Sequence, residues 1–225
     1  PSTEGGYRRL NGTTKYNSTI VPQVVSASDR IQMSAIFNDK IIAARGGTVY
    51  YGGTTGSWTS LATSQGVNNT YDFDKFNFSG TSKIIIATGE APAFTVDTSF
   101  NVDVINATGG GTAPTNPKFI KTFANHVFYG GMSNSTHSIL FSVPFSEDNF
   151  TSASGAGEIR VGDVVTGLKV FRDELFIFCQ RKIYKLTGTT STTFALAEVA
   201  KNVGTIANHS IQEIGGDLIF LAADG

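Results

Sequence analysis

Five short segments constrain the fold of this chain more than any other feature. FNDKIIAA from Phe37, GTSKIIIAT from Gly80, FANHVFYGG from Phe123, FRDELFIFC from Phe171 and GGDLIFLA from Gly215 share one pattern. In each, polar or glycine residues precede a run of strand-forming apolar residues. Aligned on the polar residue before the run (Lys40, Lys83, His126, Glu174, Asp217), the segments recur at steps of 43, 43, 48 and 43 residues. A period in the low forties with strand-type segments implies an all-β fold, a β-propeller with one four-stranded blade per repeat. Residues 34–225 then hold four repeats and the start of a fifth. Residues 1–33 form an N-terminal leader that includes a candidate closing strand.

The interior of a repeat supports four strands. In the first, Ser34–Phe37, Ile41–Ala44, Thr48–Tyr51 and Trp58–Ala62 alternate with Asn-Asp and Gly-rich turns, as expected of short polar side chains and glycine. The second offers Lys83–Ala87, Ala93–Val96 and Asn101–Ile105, and the fourth Leu175–Cys179, Lys182–Leu186 and Thr193–Val199. The third is lengthened by Pro144–Gly157, rich in Ser, Gly and Ala, which reads as a projecting loop. Helical repeats of similar length need apolar residues three and four apart over ten or more positions, and the chain has no such window. Consecutive apolar residues, as in Ile84-Ile85-Ile86 and Leu175-Phe176-Ile177-Phe178, fit strands buried on both faces by neighbouring blades. Ile42, Ile85, Phe128, Phe176 and Ile219, two residues after the aligned polar residue, are the expected core positions.

Composition narrows the function. The 225 residues carry a net charge of −1 and only 16% charged residues, so no bulk charge draws the chain to nucleic acid or membrane. One cysteine, Cys179, excludes an internal disulfide and a cysteine-based zinc site. Within an apolar run it reads as a small buried side chain. No signal peptide and no apolar stretch long enough to span a bilayer is evident. The start at Pro1 and the strand running into a turn at Ala222-Ala223-Asp224-Gly225 lead us to expect part of a longer polypeptide. Eight Asn-x-Ser/Thr sequences begin at Asn11, Asn17, Asn68, Asn77, Asn106, Asn134, Asn149 and Asn208, and are read as turn chemistry in a chain rich in these residues.

Catalytic motifs are sparse. His126, His137 and His209 are far apart in sequence, without carboxylate or cysteine at metal-ligand spacing. No serine lies in a G-x-S-x-G elbow. Asp72 and Asp74 alternate on one strand face and could hold a cation or act as an acid and base pair, although a solvated strand edge is the favoured reading. Gly52–Leu61 resembles the Asp-box turn of sialidase-like propellers but lacks its aspartate. Gly109-Gly110-Gly111 reads as a flexible loop and not as a phosphate loop, since no Gly-Lys-Ser/Thr follows.

Two stretches carry a resemblance. Glu4-Gly5-Gly6-Tyr7-Arg8-Arg9-Leu10-Asn11-Gly12 is one. The other runs from Ile139 to Gly225 and contains Val161-Gly162-Asp163, Thr166-Gly167-Leu168, Phe171-Arg172-Asp173, Ile183-Tyr184-Lys185-Leu186-Thr187-Gly188 and Gly215–Gly225. The chain resembles virion structural proteins of tailed bacteriophages, of the propeller-containing tail nozzle or adaptor type, whose members are longer than 225 residues. The resemblance implies a non-enzymatic scaffold without cofactor, located in the virion. It implies a ring of copies around the tail channel, contacts with neighbouring tail proteins, and passage of genomic DNA without sequence recognition. The alternative is a glycan- or receptor-binding propeller at the tail tip, with an enzyme ranked last. Tyr7, Arg8 and Arg9 are the expected interface residues, because planar guanidinium groups and an amphipathic ring favour contact surfaces.

Overall fold

The computed structural model describes residues 14–22 and 30–222. Its sheets are β-propeller blades. The first is β1 (Ile31–Phe37), β2 (Lys40–Arg45), β3 (Thr48–Gly52) and β4 (Thr59–Ala62). The second is β5 (Asp72–Phe78), β6 (Thr81–Ala87), β7 (Phe94–Asp97) and β8 (Val102–Val104). The third is β9 (Phe119–Phe123), β10 (His126–Met132), β11 (Ser135–Phe141) and β12 (Gly157–Arg160). The fourth is β13 (Val165–Phe171), β14 (Glu174–Cys179), β15 (Lys182–Thr187) and β16 (Ala195–Lys201). A two-stranded sheet, β17 (Gln212–Ile214) and β18 (Asp217–Ile219), begins the fifth. Every sheet is an antiparallel meander in chain order. β9 touches both β5 and β13, so the first strand of each blade is the inner one. Among the described residues no helix is long and apolar enough to cross a membrane.

Five two-residue turns join first strand to second: Asn38-Asp39, Ser79-Gly80, Ala124-Asn125, Arg172-Asp173 and Gly215-Gly216. Both residues of every turn have positive φ, from 44° at Asn38 to 98° at Gly80. Such turns match the right-handed twist of the strands they join. They also correct the alignment of the second repeat. Its turn is Ser79-Gly80, and the strand begins at Thr81, two residues ahead of the aligned Lys83. The second strands therefore start 41, 45, 48 and 43 residues apart.

Alternation of side chains along the second strand builds the core. Ile42 and Ala44 of β2 meet Ile84 and Ile86 of β6. Ile85 and Ala87, on the opposite face of β6, meet Val127 and Tyr129 of β10. Phe128 meets Leu175, Ile177 and Cys179 of β14. Phe178, with Phe176 beside it, meets Leu218 and Phe220. One side of each strand thus faces the preceding blade and the other the following one. A two-residue slip leaves this parity unchanged, so Ile42, Ile85 and Phe128 are buried as expected. Phe176 is only half-buried, since the sheet it faces has two strands. Ile219, on the side of β18 facing away from the fourth blade, is 52% exposed.

Pro144–Gly157 does not project. Glu147, Phe150 and Ala156 are buried, and the segment braces the second blade against the third. Asp148 accepts hydrogen bonds from the N–H groups of Asn106 and Thr108 at 2.7 and 2.9 Å, and also bonds Ala107 N–H. Phe150 N–H donates to Gly110 O at 2.8 Å. A Cβ on Gly109 would lie 2.7 Å from Asn149 Cβ, so the triple glycine is a packed crossing and not a flexible loop. Lys83 of β6 occupies the position held by Ile42 and Phe128 in their blades. Its charge is met by an ion pair with Glu147 from this insertion.

Burial orders the cost of truncation. Phe128→Ala is expected to lower stability by about 3–5 kcal/mol, and Phe176→Ala by clearly less, because its site is already open to solvent. Urea denaturation of the two variants beside the parent checks this, and equal losses would contradict the assigned faces.

Candidate functional site

The inner strands leave a pocket of about 510 Å³ at the propeller axis. β5 contributes Asp72, Phe73 and Asp74, β9 contributes Lys121 and Thr122, β13 contributes Leu168, Lys169 and Val170, and the turn before β17 contributes Asn208 and His209. The carboxylates are not a solvated strand edge. Asp72 Oδ2 accepts a hydrogen bond from Ile120 N–H at 3.0 Å, and Asp74 Oδ2 accepts from Thr122 N–H at 2.7 Å and Thr122 Oγ1 at 2.8 Å. Lys121 Nζ donates to Phe73 O at 3.1 Å and lies 3.6 Å from Asp72 Oδ1. Inner strands of successive blades diverge and cannot pair as a sheet. The alternating acids of β5 supply acceptors for the N–H groups of β9 that face them. Burial pushes the Asp72 carboxyl above its usual range, against the pull of Lys121.

The far wall is closed by the segment entering the fifth blade. His209 Nε2 lies 3.1 Å from Thr70 Oγ1, bridging this segment to the one leading into β5. Gln212 Nε2 donates to His209 O at 2.9 Å. Asn208 and Ile211 lie over Gly167, where a Cβ would come 2.5 Å from Asn208 Oδ1 and 2.8 Å from Ile211 Cδ1. A larger residue at 167 would require the Asn208 and Ile211 side chains to shift. Among the described residues, Lys169 Nζ and the Asn208 side-chain amide have no hydrogen-bond or ion-pair partner. No signal in the sequence placed Lys169 or Asn208 here, since their proximity depends on the curvature of the blades.

The other residues of interest are scattered. His126 is fully buried among Phe128, Phe141 and Phe194, its Nδ1 2.6 Å from Ser142 O and its Nε2 without a partner. Burial holds its pKa below the usual 6.5. His137 is an exposed residue of β11. Cys179 is buried, and desolvation pushes its thiol up to about 12. Among the described residues, no three His, Cys, Asp or Glu come together as a metal site. Trp58, in the segment likened to an Asp-box, donates from Nε1 to Thr19 O at 2.9 Å and so pins the chain before β1. Asn17, Asn77 and Asn149 each accept a nearby backbone N–H on their side-chain oxygen, as turn residues do. Tyr7, Arg8 and Arg9 lie outside the described residues.

No protein-family model matches the chain, and no curated protein sequence matches it. Solved structures do. PorZ, a bacterial surface component of the type-IX secretion system of Porphyromonas gingivalis, is similar with TM-score 0.54 and 14% identity, over 88% of this chain and 26% of that one. The extracellular domain of BT4673 from B. thetaiotaomicron gives 0.51 and 14%, over 84% and 25%. BBS1N, solved in complex with ARL6DN, gives 0.50 and 10%, over 80% and 55%. At these identities the likeness is one of fold, the β-propeller. The chain spans little more than half of the last structure and about a quarter of the other two.

Two changes test the electrostatics. Asp74→Ala removes the acceptor for both Thr122 donors and should cost about 1–3 kcal/mol in a denaturant titration. His126 bears on acid stability. Its folded pKa lies below the unfolded value, so the unfolded chain binds the extra proton. Stability is full above pH 6.5 and falls as the pH drops below it towards the folded pKa. In thermal melts between pH 7.5 and 5, about the range over which histidine titrates, His126→Phe should flatten that loss. A slope unchanged by the substitution would assign the acid sensitivity to other groups.

Proposed function

We propose that the chain is a non-enzymatic structural component of a bacteriophage tail, of nozzle or adaptor type, that assembles with copies of itself and with neighbouring tail proteins in the virion. Its resemblance to such proteins over 4–12 and 139–225 supports this reading. The observation that carries it is the flank of the fifth sheet. Ile214, Ile219 and Leu221 are 60%, 52% and 56% exposed, on the face that every earlier blade buries against its successor. Among the described residues β18 pairs only with β17. An apolar face beside an unpaired strand edge favours pairing with a further strand, from the same or from a neighbouring polypeptide. At the other end of the array, Ile36 of β1 is 68% exposed.

The same geometry argues against hydrolysis at the axis. Both carboxylates of the pocket hold the next blade, and the buried thiol is neutral at physiological pH. Genomic DNA would pass through the bore of a ring of copies.

Association is the measurable consequence. The intact assembled particle should have a mass corresponding to several copies. Ile219→Lys, which sets a charge on the flank away from the core, should reduce assembly while leaving thermal melting of the blades nearly unchanged. A parent protein that remains a monodisperse monomer at every concentration, in sedimentation and native mass measurement, would overturn the proposal.

A further inference from the structure

The axial pocket has a chemistry that its structural role leaves unused. Asp72 and Asp74 bring two negative charges and Lys121 and Lys169 two positive ones. The lining is balanced in charge, which disfavours a phosphate or another compact anion. The carboxylate oxygens already accept backbone or hydroxyl donors: Asp72 from Ile120 and Phe73, Asp74 from Thr122 and Lys75. Lys121 is tied to Phe73 O and Asp72. The free capacity lies on the opposite wall. It consists of the ammonium of Lys169, the amide of Asn208, which both donates and accepts, and the side-chain oxygen of Gln212. Val170 and Ile211 also line the pocket.

A guest that satisfies this set must offer hydroxyls that donate and accept at several angles, together with an apolar C–H face. It must also fit about 510 Å³, a volume in the range of ordinary ligand sites. We propose that the axial pocket binds a neutral sugar residue of a glycan. Lys169 and Asn208 hydrogen-bond its hydroxyls, and the half-buried Val170 gives its C–H face an apolar contact. Gly167 contributes by letting Asn208 and Ile211 approach closely enough to form the wall. The proposal gives the chain a ligand in addition to its scaffolding role and does not depend on the tail assignment. Particle mass tests the one, and ligand titration tests the other.

The test is titration of the purified 225-residue chain with the methyl glycosides of glucose, galactose, mannose and N-acetylglucosamine, and with inorganic phosphate. Binding is read by saturation-transfer NMR and calorimetry. At least one glycoside should bind saturably, more tightly than phosphate. Lys169→Met and Asn208→Ala should each weaken it about tenfold or more. Lys169 is partly exposed and neither substitution opens the core, so unchanged melting curves confirm that each variant is folded. If one variant misfolds, the other carries the test, and Lys169→Arg, which keeps the charge, should retain binding. Three results would overturn the inference: no binding by any of the glycosides, tighter binding of phosphate than of every sugar, or sugar binding unaltered in folded Lys169→Met and Asn208→Ala.

Discussion

Everything in this molecule depends on one constraint: the second strand of each blade must be buried on both faces at once. A strand in an ordinary sandwich hides one face and shows water the other. Here the residues alternately face the preceding and the following blade, so the strand becomes a run of consecutive apolar side chains. Ile84, Ile85 and Ile86 are all fully buried, although Ile85 belongs to a different core from its two neighbours. Each core is shared by two sheets, and neither sheet can bury its apolar surface alone. Stability is then largely a sum over neighbouring interfaces, as in other repeat architectures.

Polar residues act where that packing fails. Inner strands diverge around the axis, and the N–H groups of β9 that face β5 would be left without acceptors. Asp72 and Asp74 supply them. The second blade also places Lys83 where other blades place an apolar residue, and Glu147 neutralises it. Glu147 in turn accepts at its backbone oxygen a 2.7 Å hydrogen bond from the buried Tyr129 hydroxyl. A half-buried ammonium without that partner would be costly. The insertion that supplies Glu147 is therefore part of the interface between the second and third blades. The extra residues of that repeat go inward.

The repeat was legible because its two components are local. A two-residue turn with both φ values positive and a run of apolar residues are written in adjacent positions. Where the turn residues are typical, as at Asn38-Asp39 and Gly215-Gly216, the phase was correct. It slipped by two at Ser79-Gly80, because Thr81, Ser82 and Lys83 extend the polar stretch into the strand itself. The inner strand β5 was harder to see. DFDKFNF looks like a solvated edge, since its acids are needed by a strand 48 residues away in sequence. The insertion misled for the opposite reason. Its Ser, Gly and Ala suggested a loop, whereas Phe150 and Glu147 were the residues that mattered. The axial pocket could not be read at all. Lys169 and Asn208 share a pocket with Asp74 only because successive blades turn around an axis, and no spacing within one repeat encodes that turn.

A fold assembled this way separates its two kinds of surface. The flanks of the blades are apolar and repetitive, and each interior core is shared by two adjacent sheets. The axial pocket is lined by polar side chains that differ from blade to blade. Evolution can alter Lys169, Asn208 or Gln212 without touching any inter-blade core, since none of them belongs to one. Changes to Ile85 or Phe128 are felt by two blades together. The proposed assembly surface and the proposed ligand site can therefore diverge independently. A scaffold whose stability lies in the blade interfaces leaves the inner-strand positions free to acquire a ligand, provided that the acids of β5 keep holding β9.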